Sequence, residues 1–322
     1  MRELAAQFLA LAEKQGTTAP LMIGHRLMGV SLTWTGTFAE GRAHFDQAIA
    51  FYDPAEHRPL ATRFGQDVRV ATLFHRSLAL WPLGYPEAAL ADSDQAVSGA
   101  REIGQAATLM FALTFASFSH ILCGNYVTAK AQCDEVVALA DEKGSVQWKA
   151  RGMGLEGCAL ALTGRASDAV HRINSGIIAW RSTGATLWNP WFLSNLARAY
   201  AELDQFDDAW RCIDEAMNAM DTTKEKWCEA EVHRIAGEIE LMSPRRDAAK
   251  AQACFERALD IARAQQARSW ELRAATSLAR LWRDQGRRAE AHDLLAPVYG
   301  WFAEGFDTLD LKEAKALLEE LA

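Results

Sequence analysis

The stretch LALWPLGYPEAALADSDQAVSGAREIGQAATLMFALTFASFSHILCG, residues 78–124, contains one whole copy of a unit that the rest of the chain repeats. It reads as a helix ending at Leu83-Gly84, a turn at Tyr85-Pro86-Glu87, a helix carrying Ala89 and Ala96, a stop at Gly104, and a further helix ending at Cys123-Gly124. Steps of 40 residues from Gly84 land on Gly124, Gly164 and Asp204, and the same step from Gly104 lands on Gly144 and Gly184. Two helix-length segments per unit at a fixed period predict an all-α fold, an α-solenoid of about seven helix-turn-helix repeats wound into a right-handed superhelix.

Outward from this unit, small residues recur at one position of every second helix: Gly41, Ala89, Ala129, Ala169, Ala209, Ala251 and Ala291. Small side chains at repeat spacing let neighbouring helices approach closely. The reading gives a single array over 1–322, with a trailing helix at 1–16, repeats at 17–59, 60–104, 105–144, 145–184, 185–224, 225–266 and 267–305, and a capping helix at 306–322 with Asp310 placed as its cap. Residues 1–16 match the second helix of a unit whose first helix is missing, so the expectation is a chain belonging to something longer. Between Tyr52 and Gly65 lies an insertion with Asp53-Pro54 and Arg58-Pro59, since Gly36 to Gly84 spans 48 residues. Insertions in solenoids map to loops on one face, which makes Arg63, Gln66 and Asp67 candidate polar contacts.

The formal charge of −8 argues against a surface that neutralises phosphates, so no nucleic-acid partner is expected of this region. The N-terminal sequence has charges inside its apolar pattern and no long apolar run, which predicts no signal peptide, no membrane span and a cytoplasmic protein. None of the six cysteines forms a C-x-x-C pair, and several occupy core register positions, so they read as small hydrophobes without disulfides.

Tryptophan recurs at the opening turn of four successive units, at Trp148, Trp188, Trp227 and Trp270. The structural reading is a wedge between repeats. Trp188 is the candidate exception, because Leu187-Trp188-Asn189-Pro190-Trp191 gathers two indoles, an amide and a helix-starting proline. By repeat register Arg151, Trp191 and Arg273 are equivalent, as are Arg198 with Arg280 and Lys149 with Asn189. Turned inward, these arginines would line the concave face as a basic strip suited to an acidic peptide or phosphate-bearing ligand.

His120 with Cys123, and Glu229 with His233, share helical faces but lack a third ligand at recognisable spacing, so no metal is expected. Asp92 with Asp94, and Asp207 with Asp208, read as solvated carboxylates. The chain carries no G-x-S-x-G elbow and no G-x-x-x-x-G-K-[ST] loop, and neither catalysis nor a cofactor is expected of it.

Hinge glycines, an aromatic near each turn (Phe38, Tyr85, Tyr126, Phe206) and the alanine of the second helix resemble the tetratricopeptide repeat, with a period longer than the usual 34. The blocks YDPAEHRPLATRFGQDV (52–68), LALWPLGYPEAALADSDQAV (78–97), AREIGQAATL (100–109) and the ending YGWFAEGFDTLDLKEAKALLEEL resemble the C-terminal repeat region of large bacterial proteins that join a class III adenylate or guanylate cyclase to a signal-transduction ATPase. The resemblance implies a non-catalytic scaffold or sensor that binds a protein, namely the cyclase/ATPase region or a signalling partner, and regulates it. Two alternatives stand beside it: a small effector or nucleotide, with or without enzymatic turnover, held in the concave groove at the Trp188/Trp191 cluster or beside the 52–67 insertion, and the repeat arm of a transcriptional activator.

Overall fold

The computed structural model describes residues 2–322, and all regular structure among them is helical. Helix α1 (Arg2–Gln15) is followed by α2 (Thr18–Trp34) and α3 (Phe38–Ala50). The 52–65 insertion folds into α4 (Pro54–His57), a 3-10 turn (Arg58–Leu60) and α5 (Ala61–Phe64). Antiparallel pairs then succeed one another: α6 (Val68–Leu80) with α7 (Pro86–Ile103), α8 (Ala106–Leu122) with α9 (Tyr126–Glu142), and α10 (Val146–Ala161) with α11 (Ala166–Ser182). The series continues as α12 (Asn189–Glu202) with α13 (Phe206–Thr223), α14 (Glu229–Met242) with α15 (Ala248–Ala264), and α16 (Arg268–Asp284) with α17 (Arg288–Tyr299), and α18 (Leu309–Leu321) ends it.

Which helix of each pair lies inside follows from its side chains. The second helix α9 buries only Ala129, Cys133, Val136 and Ala140, the i, i+4, i+7, i+11 stripe of a helix with one face in water. The first helix α8 is buried without a break from Met110 to Leu122. A helix apolar all round must be covered all round. Its own partner and the adjacent units cover two sides of α8, and the third is covered by the opposite end of the chain.

That cover closes the superhelix. The C-terminal ends of the first helices in the N-terminal half meet the N-terminal ends of those in the C-terminal half. The Trp34 carbonyl accepts from Lys226 N at 2.7 Å, and the Pro82 carbonyl accepts from Ser269 N at 3.1 Å. The Leu122 carbonyl accepts from Arg273 Nη2 at 2.8 Å. Further out, Gly305 N donates to Glu87 at 2.7 Å and Ala88 N to Glu304 at 3.0 Å. The first three bonds satisfy carbonyls at helix ends, and the Glu304 carboxylate takes the Ala88 N–H in the first turn of α7, groups that a helix cannot satisfy internally.

The hinge glycines on this side therefore have two tasks. Gly84 sits at φ +89°, a left-handed turn, and a Cβ there would overlap the Trp301 ring. Gly124 is pressed in the same way by Leu309, whereas Gly164, at φ +74°, has nothing within 4 Å. Gly164→Ala is expected to cost only the left-handed penalty of about 1 kcal/mol. Gly84→Ala adds overpacking of about 1–3 kcal/mol. Urea unfolding of both variants measures the difference, and equal losses would mean that Trp301 does not press on the hinge in solution.

Two sequence expectations are corrected here. Asp310 lies in the first turn of α18 but does not cap it; Thr308 holds the cap position, and the Asp310 carboxylate is drawn to Arg273 Nε at 2.9 Å. Asp92 is buried, where a solvated surface residue was expected, because Arg76 clasps both its oxygens at 2.7 Å. Five of the six cysteines are buried, Cys254 is half-buried and all are free. No helix is long and apolar enough to cross a membrane among the described residues.

Candidate functional site

The inner face, where a solenoid ordinarily meets its partners, is filled by the chain's own aromatic rings. Trp81 packs edge-on against Trp270 with centroids 4.5 Å apart. Trp34 lies 5.9 Å from Trp188 and 5.7 Å from Trp227. Phe118 joins them at 4.8 Å from Trp188, 5.3 Å from Trp191 and 5.4 Å from Trp227. Offset and edge-to-face arrangements at these separations are the favoured geometries for aromatic pairs. The recurring tryptophans are thus more than wedges between neighbouring repeats, since three of the four touch aromatic rings from the first units of the array. Trp188 and Trp191 are each about 1% exposed, and Asn189 is buried beside them. The space between these side chains is taken up by the chain's own rings.

Trp188 is held in an unusual conformation, a non-glycine residue at φ 76°. Such a backbone persists only where its surroundings over-determine it. Here the buried Glu225 carboxylate accepts from Trp188 N at 3.1 Å and from Trp227 Nε1 at 2.6 Å. Burial raises the Glu225 pKa to about 7, against the pull of these two donors.

Arg198, Arg273 and Arg280 converge, together with Arg234, on one cavity of about 200 Å³. The strip they form is not basic. Glu231, Glu238, Asp310 and Glu313 line the same cavity, four carboxylates against four guanidinium groups. Glu231 binds Arg234 at 2.7 and 2.8 Å and lies 3.3 Å from Arg273, Arg198 pairs with Glu238 at 3.0 Å, and Arg280 with Glu313 at 2.8 Å. Burial alone would raise the Glu231 pKa, but Arg234 and then Arg273 overcome it and hold the carboxylate at about 2. Sequence reasoning missed Arg234, whose register partners in the units on either side, Asn195 and Ser277, are also polar, a run that could have drawn notice.

The remaining candidates lie elsewhere. Lys149 pairs with Asp141 at 2.6 Å on a hinge. Asp67 is buried, caps α6 through Val70 N at 3.0 Å and accepts from the Tyr52 hydroxyl at 2.8 Å. Gln66 next to it is half-buried, and Arg63 is exposed, beside an apolar cleft formed with Phe8, Leu11, Leu60 and Phe64. Arg151 stands apart from the paired arginines. Its guanidinium lies 4.3 Å from the Trp180 ring, 5.2 Å from Trp148 and Phe115 and 5.5 Å from Trp188, with no carboxylate. No group of three or more His, Cys, Asp or Glu residues is placed to share a metal ion among the described residues.

Paired helices, left-handed hinges and an inward row of first helices define an α-solenoid of tetratricopeptide-like repeats. Known structures with this arrangement include the Rap conjugation gene regulator of the plasmid pLS20 in complex with the Phr* peptide, similar with a TM-score of 0.64 at 9% identity over 94% of this chain and 75% of that one. Aspartyl phosphate phosphatase F from Bacillus subtilis is similar with a TM-score of 0.57 at 11% identity, over 94% and 75% of the two chains. The apo form of the quorum sensor NprR from B. thuringiensis is similar with a TM-score of 0.55 at 14% identity, over 90% and 79%. No protein-family model matches the chain, and no curated protein matches its sequence.

Proposed function

We propose that this chain is a regulatory scaffold that binds a protein segment or peptide and passes the event on by opening or tightening its superhelix. The observation that carries this reading is the closure itself. Besides following one another along the backbone, the early and late units of the array meet again through helix-end carbonyls and ring contacts, so a partner that competes for those ends changes the shape of the whole. Two proteins of similar fold, a quorum sensor and a regulator in complex with a peptide, support it. In its finer form, the partner is an adenylate or guanylate cyclase with its ATPase domain, attached or separate, as the sequence resemblance implies.

The test is direct. The purified chain, mixed with the cyclase/ATPase region encoded nearest to it, is expected to co-elute in size exclusion and to change the cyclase rate. Separate elution with an unchanged rate would remove the finer reading. A library of short peptides screened by small-angle scattering then checks the coarser one, for which at least one peptide must alter the radius of gyration.

A further inference from the structure

A cavity of about 510 Å³ opens on the seam where the superhelix meets itself. Its walls come from both ends of the chain: Arg42 and Asp46 on α3, Leu83 and Tyr85 on either side of the hinge glycine, Arg268 at the start of α16, and Trp301 just past α17. That volume lies within the range of about 300–1,000 Å³ typical of small-molecule sites. The bond from Ser269 N to the Pro82 carbonyl at 3.1 Å and the Trp301 ring against Gly84 hold the two sides together next to it.

The cavity pairs rings with cations. The Arg42 guanidinium lies 5.1 Å from the centre of the Tyr85 ring, and the Arg268 guanidinium 5.2 Å from that of Trp301. The two rings are themselves 5.9 Å apart and inclined at 66°, so they form a corner and bring both guanidinium groups to one space. Trp301 is 39% exposed there, whereas Trp188, Trp191, Trp227 and Trp270 are buried along the axis. An indole left open beside a cation offers a wall on which a flat ligand can lie.

The charges around the cavity do not balance. Asp46 is the one carboxylate among the lining residues. It stands 3.8 Å from Arg42, beyond hydrogen-bond reach, because Arg76 holds it at 2.8 Å. Arg268 donates through Nη1 to Glu271 at 2.8 Å, and Glu271 is shared with Arg263, also at 2.8 Å. The Arg42 fork is thus free, and that of Arg268 only partly used. A guanidinium steadied on a ring with its N–H donors unspent is preorganised for an oxyanion.

We infer that this seam cavity binds a small organic anion, a flat ring carrying a phosphate or carboxylate, with Arg42 and Arg268 on the anion and Tyr85 and Trp301 beside the ring. Such a ligand touches α3 and the hinge at Gly84 on one side and α16 and Trp301 on the other, so its binding fastens the early units to the late ones. The inference does not rest on the partner reading above, since the site lies within the isolated chain.

The full chain is titrated by calorimetry with adenosine 5′-monophosphate and, separately, with benzoate, at constant ionic strength. Saturable heat is expected with at least one of them, and which one responds distinguishes a phosphate-bearing from a carboxylate-bearing ligand. Adenosine and inorganic phosphate, each with half of the chemistry, are expected to bind about tenfold more weakly or worse. Arg42→Gln changes a side chain that is 41% exposed, so the variant is expected to keep the parent's urea midpoint and to lose about tenfold or more in affinity, as loss of one charge-assisted contact implies. Arg42→Lys, which keeps the charge without the fork, is expected to fall between the two. In hydrogen exchange the bound probe is expected to slow the amides of 83–85 and of 266–268 together. No saturable heat with either anion, half-ligands that bind as tightly as the whole, parent affinity in Arg42→Gln, or protection confined to one of the two segments overturns the site.

Discussion

Trp270→Ala is expected to lower the unfolding free energy by about 3–5 kcal/mol, the range for removing a large aromatic from a filled core, and to expand the molecule as it does so. Trp270 is about 1% exposed, packs on Trp81 at 4.5 Å, and donates from Nε1 to the Trp227 carbonyl at 2.9 Å. Its loss removes ring area and, in the same step, the part of the axial cluster that ties the seventh unit to the second. Phe255→Ala is the comparison, because Phe255 is equally buried but packs only within the C-terminal units. Both variants should lose stability in urea. Only Trp270→Ala should increase the radius of gyration in small-angle scattering at native conditions. An unchanged radius for Trp270→Ala would mean that the polar latches hold the array shut without the ring.

Glu225→Gln is expected to flatten the pH dependence of stability between about pH 4.5 and 7 and to stabilise the protein above that window, by up to about 3 kcal/mol. The sign follows from the shift. Burial raises the folded-state pKa of Glu225 from 4.5 to about 7, so the native protein holds this proton more tightly than the unfolded chain does. The resulting stability is complete below pH 4.5 and is lost as the pH rises through 7. His75, lowered to about 3 by burial, acts in the opposite sense, its contribution being lost as the pH falls below 6.5. It is common to parent and variant and cancels in their difference. Urea midpoints of the two proteins at pH 5 and pH 8 give the measurement. Parallel pH profiles would mean that Glu225 is ionised in the native state at both values. The glutamine keeps one oxygen for Trp188 N or Trp227 Nε1, so any gain also shows that the left-handed turn at Trp188 does not require a charge.

The repeat was legible because its causes are local. A glycine at φ +89° or +80° is demanded by the hinge itself, and the alanines of the second helices are demanded by the neighbouring pair. What the repeat does not encode locally is where the superhelix meets itself. Trp34 and Trp81 stand two and three residues before hinge glycines, and nothing near them marks their partners Trp227 and Trp270, which lie more than half the chain away. The register showed that Arg198 and Arg280 are equivalent positions but not which way they or Arg273 face, nor their neutralisation, because Glu238, Asp310 and Glu313 come from other units. Glu225 escaped for a related reason. It is an ordinary charged residue in sequence, and its significance comes from burial and from the two N–H groups that stand opposite it.

The hydrogen bonds from Ser269, Arg273 and Gly305 to Trp81, Leu122 and Glu87 span 188, 151 and 218 residues of sequence. Arrays whose units touch only adjacent units lose stability in instalments and tolerate trimming at either end. A ring-like array of this kind gains cooperativity from its first and last members together. Removing the N-terminal or the C-terminal unit should therefore weaken residues at the far end as much as those at the cut, and folding should be slow for an all-helical chain, since loops of this length must close before the final contacts form.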